Sequence, residues 1–346
     1  MKDGGYFGFI IPNTILTNNY FRNLRSKILN ECQIKALIEF GYYVFQDAKI
    51  DSLIIILKKE GNKKSRDSNE VSYAKIEKPT GSMLSIGSER RILQSEFLTG
   101  GHNELNVGKN NQSLLSKIDR RNDCVRLGSL VNINLGFRVK NNQALIHSVK
   151  QNGDVPILHG RDISRYNVNF QNRYFAYRKD DIVGGCSKRE VYEADEKLLI
   201  QAIRNIKLKR RIVAAYDNSR FFVVGGLLSV TKKHPDVNLK YVLALLNSKL
   251  LNFYFKSISI DKNIKVVFLT QLPIISKSKE EEDIVKQVNA LLLFNKRLNE
   301  LSGKKTDEHA VIEHSVEKTE AEIDDLVYKI YGITEDDKQI IEDALK

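Results

Sequence analysis

The segment Gly4-Gly5-Tyr6-Phe7-Gly8-Phe9-Ile10-Ile11-Pro12-Asn13 reads as a short apolar strand between a glycine pair and a Pro-Asn turn. Downstream of it, Tyr20, Phe21, Leu24, Ile28 and Leu29 recur at helical spacing, with Arg and Lys outside the stripe. Ile34 to Phe40 and Leu53 to Leu57 are further strand candidates, the second continuously apolar. Strand, helix, strand with fully apolar strands predicts a sheet covered on both faces, and hence a buried first strand.

Beyond this sheet the character changes. Gly61 to Asn69 is polar and turn-rich, so a loop, and Val71 to Ile76 is an expected edge strand. From Lys78 to Asp123 the chain is polar with short helical patches, the composition of a connector. Residues 126–275 alternate short apolar runs with turn signals: Val131 to Leu135, Ala144 to Ile146, Val155 to Leu158, Tyr174 to Tyr177, Leu198 to Ile200, Ile212 to Ala215 and Phe221 to Val224. Leu239 to Phe255 reads as one helix. Glu280 to Leu301 and Ala321 to Tyr331 are also helical, and Thr334 to Asp337 resembles a capping box opening a last helix. The expected class is α+β. It comprises an α/β part over 1–77, a connector over 78–125, a β-rich domain over 126–278 and a helical segment over 279–346.

Composition narrows the function. The 346 residues hold 55 Lys and Arg against 43 Asp and Glu, a net charge of +12. Such an excess favours a polyanionic partner, nucleic acid before a membrane surface. No run of about 18 apolar residues exists to span a bilayer, and no signal-peptide pattern opens the chain. Three widely spaced cysteines (Cys32, Cys124, Cys186) fit a reducing cytoplasm and argue against a disulfide scaffold or a zinc site. There is no P-loop, no G-x-G, no pair of adjacent prolines and no metal-binding histidine pair, so no catalytic or metal residue is expected.

Three stretches carry candidate binding chemistry. In Gly136-Phe137-Arg138-Val139-Lys140-Asn141-Asn142-Gln143, Arg138, Asn141 and Asn142 could read base edges bidentately and Lys140 could meet phosphate; the other reading is a solvated hairpin tip. In His159-Gly160-Arg161-Asp162-Ile163-Ser164-Arg165-Tyr166, Arg161 and Arg165 offer guanidinium forks and Tyr166 a stacking ring, although Arg161 could instead be tied to Asp162. Arg204, Lys207, Lys209, Arg210 and Arg211 put five cations into eight residues, a density suited to the DNA backbone or to a merely solvated face.

The chain resembles the C-terminal part of adenine-specific DNA methyltransferases of type II restriction–modification systems. The marks are Gly4 to Asn13, Leu24-Arg25, Ile38-Glu39-Phe40-Gly41 and Val44 to Ile56, with Ile50-Asp51-Ser52 where V-D-T is usual. Further on, Gly160 to Tyr166, Tyr241 to Leu250, Gln271-Leu272-Pro273-Ile274 and Asp324 to Thr334 resemble the TaqI-like C-terminal specificity domain. Gly136 to Asn142 departs from the G-I-x-T-G-x-N usual there.

The resemblance implies a short remnant of a Rossmann-like methyltransferase sheet followed by a target-recognition domain. It places the S-adenosylmethionine loop and the N-P-P-Y motif upstream of Gly4, so no cofactor is expected in this chain itself. The chain would be a split subunit, a degraded gene or a piece of a longer protein, inactive in methyl transfer by itself. The implied partners are duplex DNA and a methyltransferase catalytic domain or subunit, with no membrane. The rival readings are an unrecognised enzyme, an assembly or protein-interaction module of a restriction system, and a type I-like specificity subunit. The last usually carries two recognition domains, and no internal repeat is visible.

Overall fold

The N-terminal apolar segment forms the strand β1 (Tyr6–Pro12), followed by helix α1 (Arg22–Glu31) and strands β2 (Cys32–Phe40), β3 (Ser52–Lys59), β4 (Glu70–Thr80) and β5 (Met83–Leu93). This computed structural model describes all residues except 42–49, 81–82, 99–104, 106–110, 120, 141–144, 207, 260–262 and 302–305. The chain divides into two units, Met1–Lys117 and Ile118–Lys346.

In the first unit the strands lie in the order β1-β3-β2-β4-β5. Only β2 and β4 are parallel; the other neighbours run antiparallel. Leu53, Ile55 and Leu57 alternate onto one face of β3 and pack with Ile34 and Leu37 of β2 and with Ile28 and Leu29 of α1. Arg25 is fully buried, its guanidinium donating to the carbonyls of Ile15 (3.0 Å) and Asn18 (2.7 Å).

Three expectations are corrected here. β1 is an edge strand with exposed side chains on both faces, Tyr6 being 66% and Phe9 57% accessible. β4 is interior, not an edge, because β5 pairs along it. The expected connector over 78–125 therefore begins inside the sheet: β4 runs to Thr80 and β5 continues to Leu93. Polar residues such as Glu89, Arg90 and Arg91 hid that strand in the sequence, since an edge can carry them without desolvation.

In the second unit Val131–Leu135, Leu227–Lys232, Lys197–Gln201 and Ala214–Asp217 form a four-stranded antiparallel sheet. A second sheet joins Phe222–Val223, Asp154–Leu158, Tyr174–Ala176 and Ile146–His147. Where one helix was expected over Leu239 to Phe255 there are two, Leu239–Asn247 and Lys249–Ile258. Ser248 breaks them with ψ 154°, and its hydroxyl caps the second helix by accepting from the Leu251 N–H. The buried amide of Asn247 holds both backbone groups of Ala214, and Asn252 accepts from Ile212 N–H.

Helices Glu281–Glu300, Asp307–Tyr331 and Glu335–Ala344 follow. The capping box is present: Thr334 Oγ1 accepts from Asp337 N–H, and the Asp337 carboxylate accepts from Thr334 N–H. These helices belong to the same unit as the strands. Tyr331, fully buried, donates its hydroxyl to the carbonyl of Pro273 at 2.7 Å. Among the described residues no helix is long and apolar enough to cross a membrane.

Candidate nucleic-acid interface

The floor of the site is a backbone junction. Phe137 N–H donates to Val223 O (3.0 Å), Gly225 N–H to Phe137 O (2.8 Å) and Val224 N–H to Leu158 O (3.1 Å). The approach is so close that a Cβ on Gly136 would stand 2.5 Å from the carbonyl oxygen of Val224. Beneath it Phe137 packs in an aromatic cluster, its ring 5.4 Å from Phe175 and 5.8 Å from both Tyr177 and Tyr192. This buried ring fixes the next residue, Arg138, at the surface.

The turn Gly225-Gly226 gathers the remaining loops. Gly226 adopts φ +103°, which favours glycine, and its carbonyl accepts from Ala202 N–H at 2.8 Å. Ile264 N–H in turn donates to Ala202 O at 2.7 Å. Gly160 abuts the same turn. Residues distant in sequence thereby line one cleft of about 640 Å³, with Phe137 and Ile203 on its apolar side and Arg138, His159, Asn263 and Lys265 as its polar groups.

The structure treats the sequence candidates unequally. Arg138, Lys140, Arg161 and Lys209 are exposed, and among the described residues the side chains of Arg138, Arg161 and Lys209 have no ion-pair partner. Arg138 lies over Gly184 and Gly225, where a Cβ at either position would meet its side chain at 2.7 and 3.0 Å. Arg161 is not tied to Asp162: that carboxylate is buried, accepts from His159 N–H at 2.6 Å and pairs with Arg173. Asn141, Asn142 and Lys207 fall outside the described residues.

The others are corrected to structural roles. Tyr166 is 3% exposed, so its ring is not available for stacking, and its backbone sits at φ +60°. Burial pushes its phenol far above the usual range. Arg165 pairs with Glu320 of helix Asp307–Tyr331 at 2.5 Å. Burial raises that carboxyl more than Arg165 and Arg210 lower it. Arg210 donates to Asp324 (2.8 Å) and to the Asn247 carbonyl. Arg211 is 1% exposed, with its guanidinium 5.7 Å from the Phe255 ring. Arg204 is half-buried and donates to Gln201 Oε1 and to Arg210 O (3.2 Å). Burial lowers its pKa, with the Arg165 charge adding to the effect.

Sequence reading missed His159, Asn263 and Lys265. His159 loses basicity mainly through burial and secondarily through the Arg173 charge, so its imidazole is kept neutral near pH 7. Nothing in its local sequence set it apart, and Asn263 and Lys265 join the rim through the backbone bridge between Ile203 and Asn263 and the bond from Ile264 N–H to Ala202 O, both tertiary contacts. Among the described residues no cluster of His, Cys, Asp and Glu is arranged to hold a metal ion.

Residues 155–274, which supply most of this rim, match the TaqI-like C-terminal specificity domain. Residues 1–45 match the Eco57I restriction-modification methylase family. The chain is 26% identical, over 96% of its length, to RM.MjaORFECS2P of Methanocaldococcus jannaschii, provisionally named a type II restriction enzyme and methyltransferase. It spans 27% of that protein. Its fold is similar to part of the type IIL restriction-modification enzyme MmeI, solved in complex with DNA: the TM-score is 0.55 at 11% identity, covering 95% of this chain and 47% of the other. Residues 155–274 are thus similar to that specificity domain and residues 1–45 to that methylase family, the same two families that the sequence resemblance named.

Proposed function

We propose that this chain recognises duplex DNA sequence-specifically, as the specificity part of a type II restriction–modification adenine-N6 DNA methyltransferase working in the cytoplasm. The observation that carries the reading is the convergence of Arg138, His159, Asn263 and Lys265 on one cleft beside the Gly225-Gly226 turn, within and beside the segment matched by the specificity-domain family. Arg and amide groups on such a rim suit base edges, while Lys140 and Lys209 suit phosphates. The neutral His159 adds a side chain that can donate or accept within the cleft.

The catalytic partner belongs to the same proposal. β1 offers an unpaired edge and exposed Tyr6, Phe7, Phe9 and Ile10, which a neighbouring strand of a methyltransferase sheet would cover. The chain has neither a Gly-rich cofactor loop nor an N-P-P-Y tetrad. We therefore derive no methyl-transfer step from these residues.

The test is a fluorescence titration of the chain with a labelled random-sequence duplex at several salt concentrations. Binding that weakens steeply with salt supports the reading, and selection of preferred sites from a random pool then gives the target. An absence of binding at low salt, with the catalytic domain supplied as well, overturns it. Adenine specificity is checked by mapping the modified base in DNA exposed to the chain together with its catalytic domain.

A further inference from the structure

The loop from Gln201 to Arg211 inverts what its composition implies. Its arginines turn inward. Arg204 ties the two ends together through Gln201 and the Arg210 carbonyl, Arg210 anchors on Asp324 and Asn247, and Arg211 is buried beside Phe255. A turn from Leu208 N–H to Asn205 O (3.1 Å) shapes the tip.

Among its described residues this braced base projects three aliphatic side chains. Ile203 is 62% exposed, Ile206 47% and Leu208 41%. Covering branched aliphatic side chains that stand in water on a short loop is favourable. The neighbouring charges select the occupant. Lys209 is exposed on the same loop, Gln201 also donates to the carbonyl of Gly160 beside Arg161, and Ile203 shares the cleft with Arg138 and Lys265. Apolar side chains set among cations complement a polyanion with an apolar interior. Side chains of this kind part base steps in proteins that kink DNA.

We propose that Ile206 and Leu208 form a wedge that enters a groove of the duplex and opens a base step, with Lys209 held against the adjacent phosphate. The proposal rests on the DNA-recognition reading above and adds a mode of engagement to it. Bracing by Arg204 and Arg210 is what makes the wedge effective, because a tip fixed before binding has less ordering entropy to lose.

The test compares two labelled duplexes of random sequence, one fully paired and one with a single abasic bulge that is already unstacked. A wedge is relieved of unstacking work on the second, so the chain should bind it about tenfold more tightly. Ile206→Ser and Leu208→Ser should each reduce that preference, and the double variant should abolish it while keeping the salt dependence on paired DNA. Val311→Ser, at an exposed apolar position on helix Asp307–Tyr331 about 20 Å along it from Asp324, should leave the preference unchanged. All three positions are exposed, so matching thermal midpoints would show that folding is intact. Equal affinity of the unaltered chain for both duplexes overturns the wedge, as does a preference that survives in the double variant. Failure to bind either duplex at low salt, with the catalytic domain supplied as well, overturns the underlying DNA reading instead, so the two failures are distinct.

Discussion

Arg210 Nη2 donates to Asp324 Oδ2 at 2.8 Å, and the other oxygen of the same carboxylate accepts from the Lys249 N–H at 2.7 Å. One buried side chain on helix Asp307–Tyr331 thus fixes the base of a rim loop and the start of helix Lys249–Ile258. Helix Asp307–Tyr331 is therefore a brace for that loop. Asp324→Ala leaves a largely buried guanidinium without its carboxylate and should destabilise the chain by about 3 kcal/mol. Asp324→Asn keeps an acceptor for Lys249 and should lose roughly half as much. Urea unfolding of both variants measures the difference; equal loss would mean that the charge on Arg210 is irrelevant.

His159 makes stability depend on pH. Burial lowers its folded pKa below the ordinary 6.5, so the unfolded chain takes up the proton first. Its contribution is complete above pH 6.5 and is lost as pH falls from there through the lowered folded value. Thermal midpoints measured from pH 7.5 downward should decline more steeply in the native chain than in His159→Gln, as flagged by the desolvation mechanism. Parallel curves would remove His159 as the source.

At Gly136 the obstacle to a side chain is backbone on the facing strand, which cannot rotate away. A Cβ there would contact the carbonyls of both Val223 and Val224. Gly136→Ala should therefore cost about 2–4 kcal/mol and displace the Gly225-Gly226 turn. Gly8, whose added Cβ would meet nothing within 4 Å, is the control and should tolerate alanine with a change below about 0.5 kcal/mol.

The cations separate into two groups that solution measurements can tell apart. Arg161→Ala and Lys209→Ala should leave stability nearly unchanged and flatten the salt dependence of DNA binding by up to about 0.9 per lost phosphate contact. Arg211→Met should show its main effect in unfolding, because its guanidinium is buried against Phe255. An unchanged salt slope for both exposed variants would remove them from the interface.

The sequence by itself determined the local elements. Periodicity located β1 to β4 and the helices Glu281–Glu300 and Glu335–Ala344, because an apolar stripe must match the repeat of the element that buries it. The capping box at Thr334 and the family resemblance were likewise legible from a few residues at fixed spacing. The sequence misjudged β5 and the break at Ser248. An edge strand need not be apolar, and a cap depends on a hydroxyl finding one N–H.

Tertiary structure alone decided the fate of each charge. Arg161 and Arg165 are four residues apart on one polar stretch, yet one faces solvent and the other is clasped by Glu320, 155 residues away. Arg210 and Lys209 are adjacent, yet one pairs with Asp324 and the other is exposed. Composition counts charges, whereas burial and pairing depend on which distant carboxylate or carbonyl the fold brings within 3 Å, and that distance is a property of the packed chain.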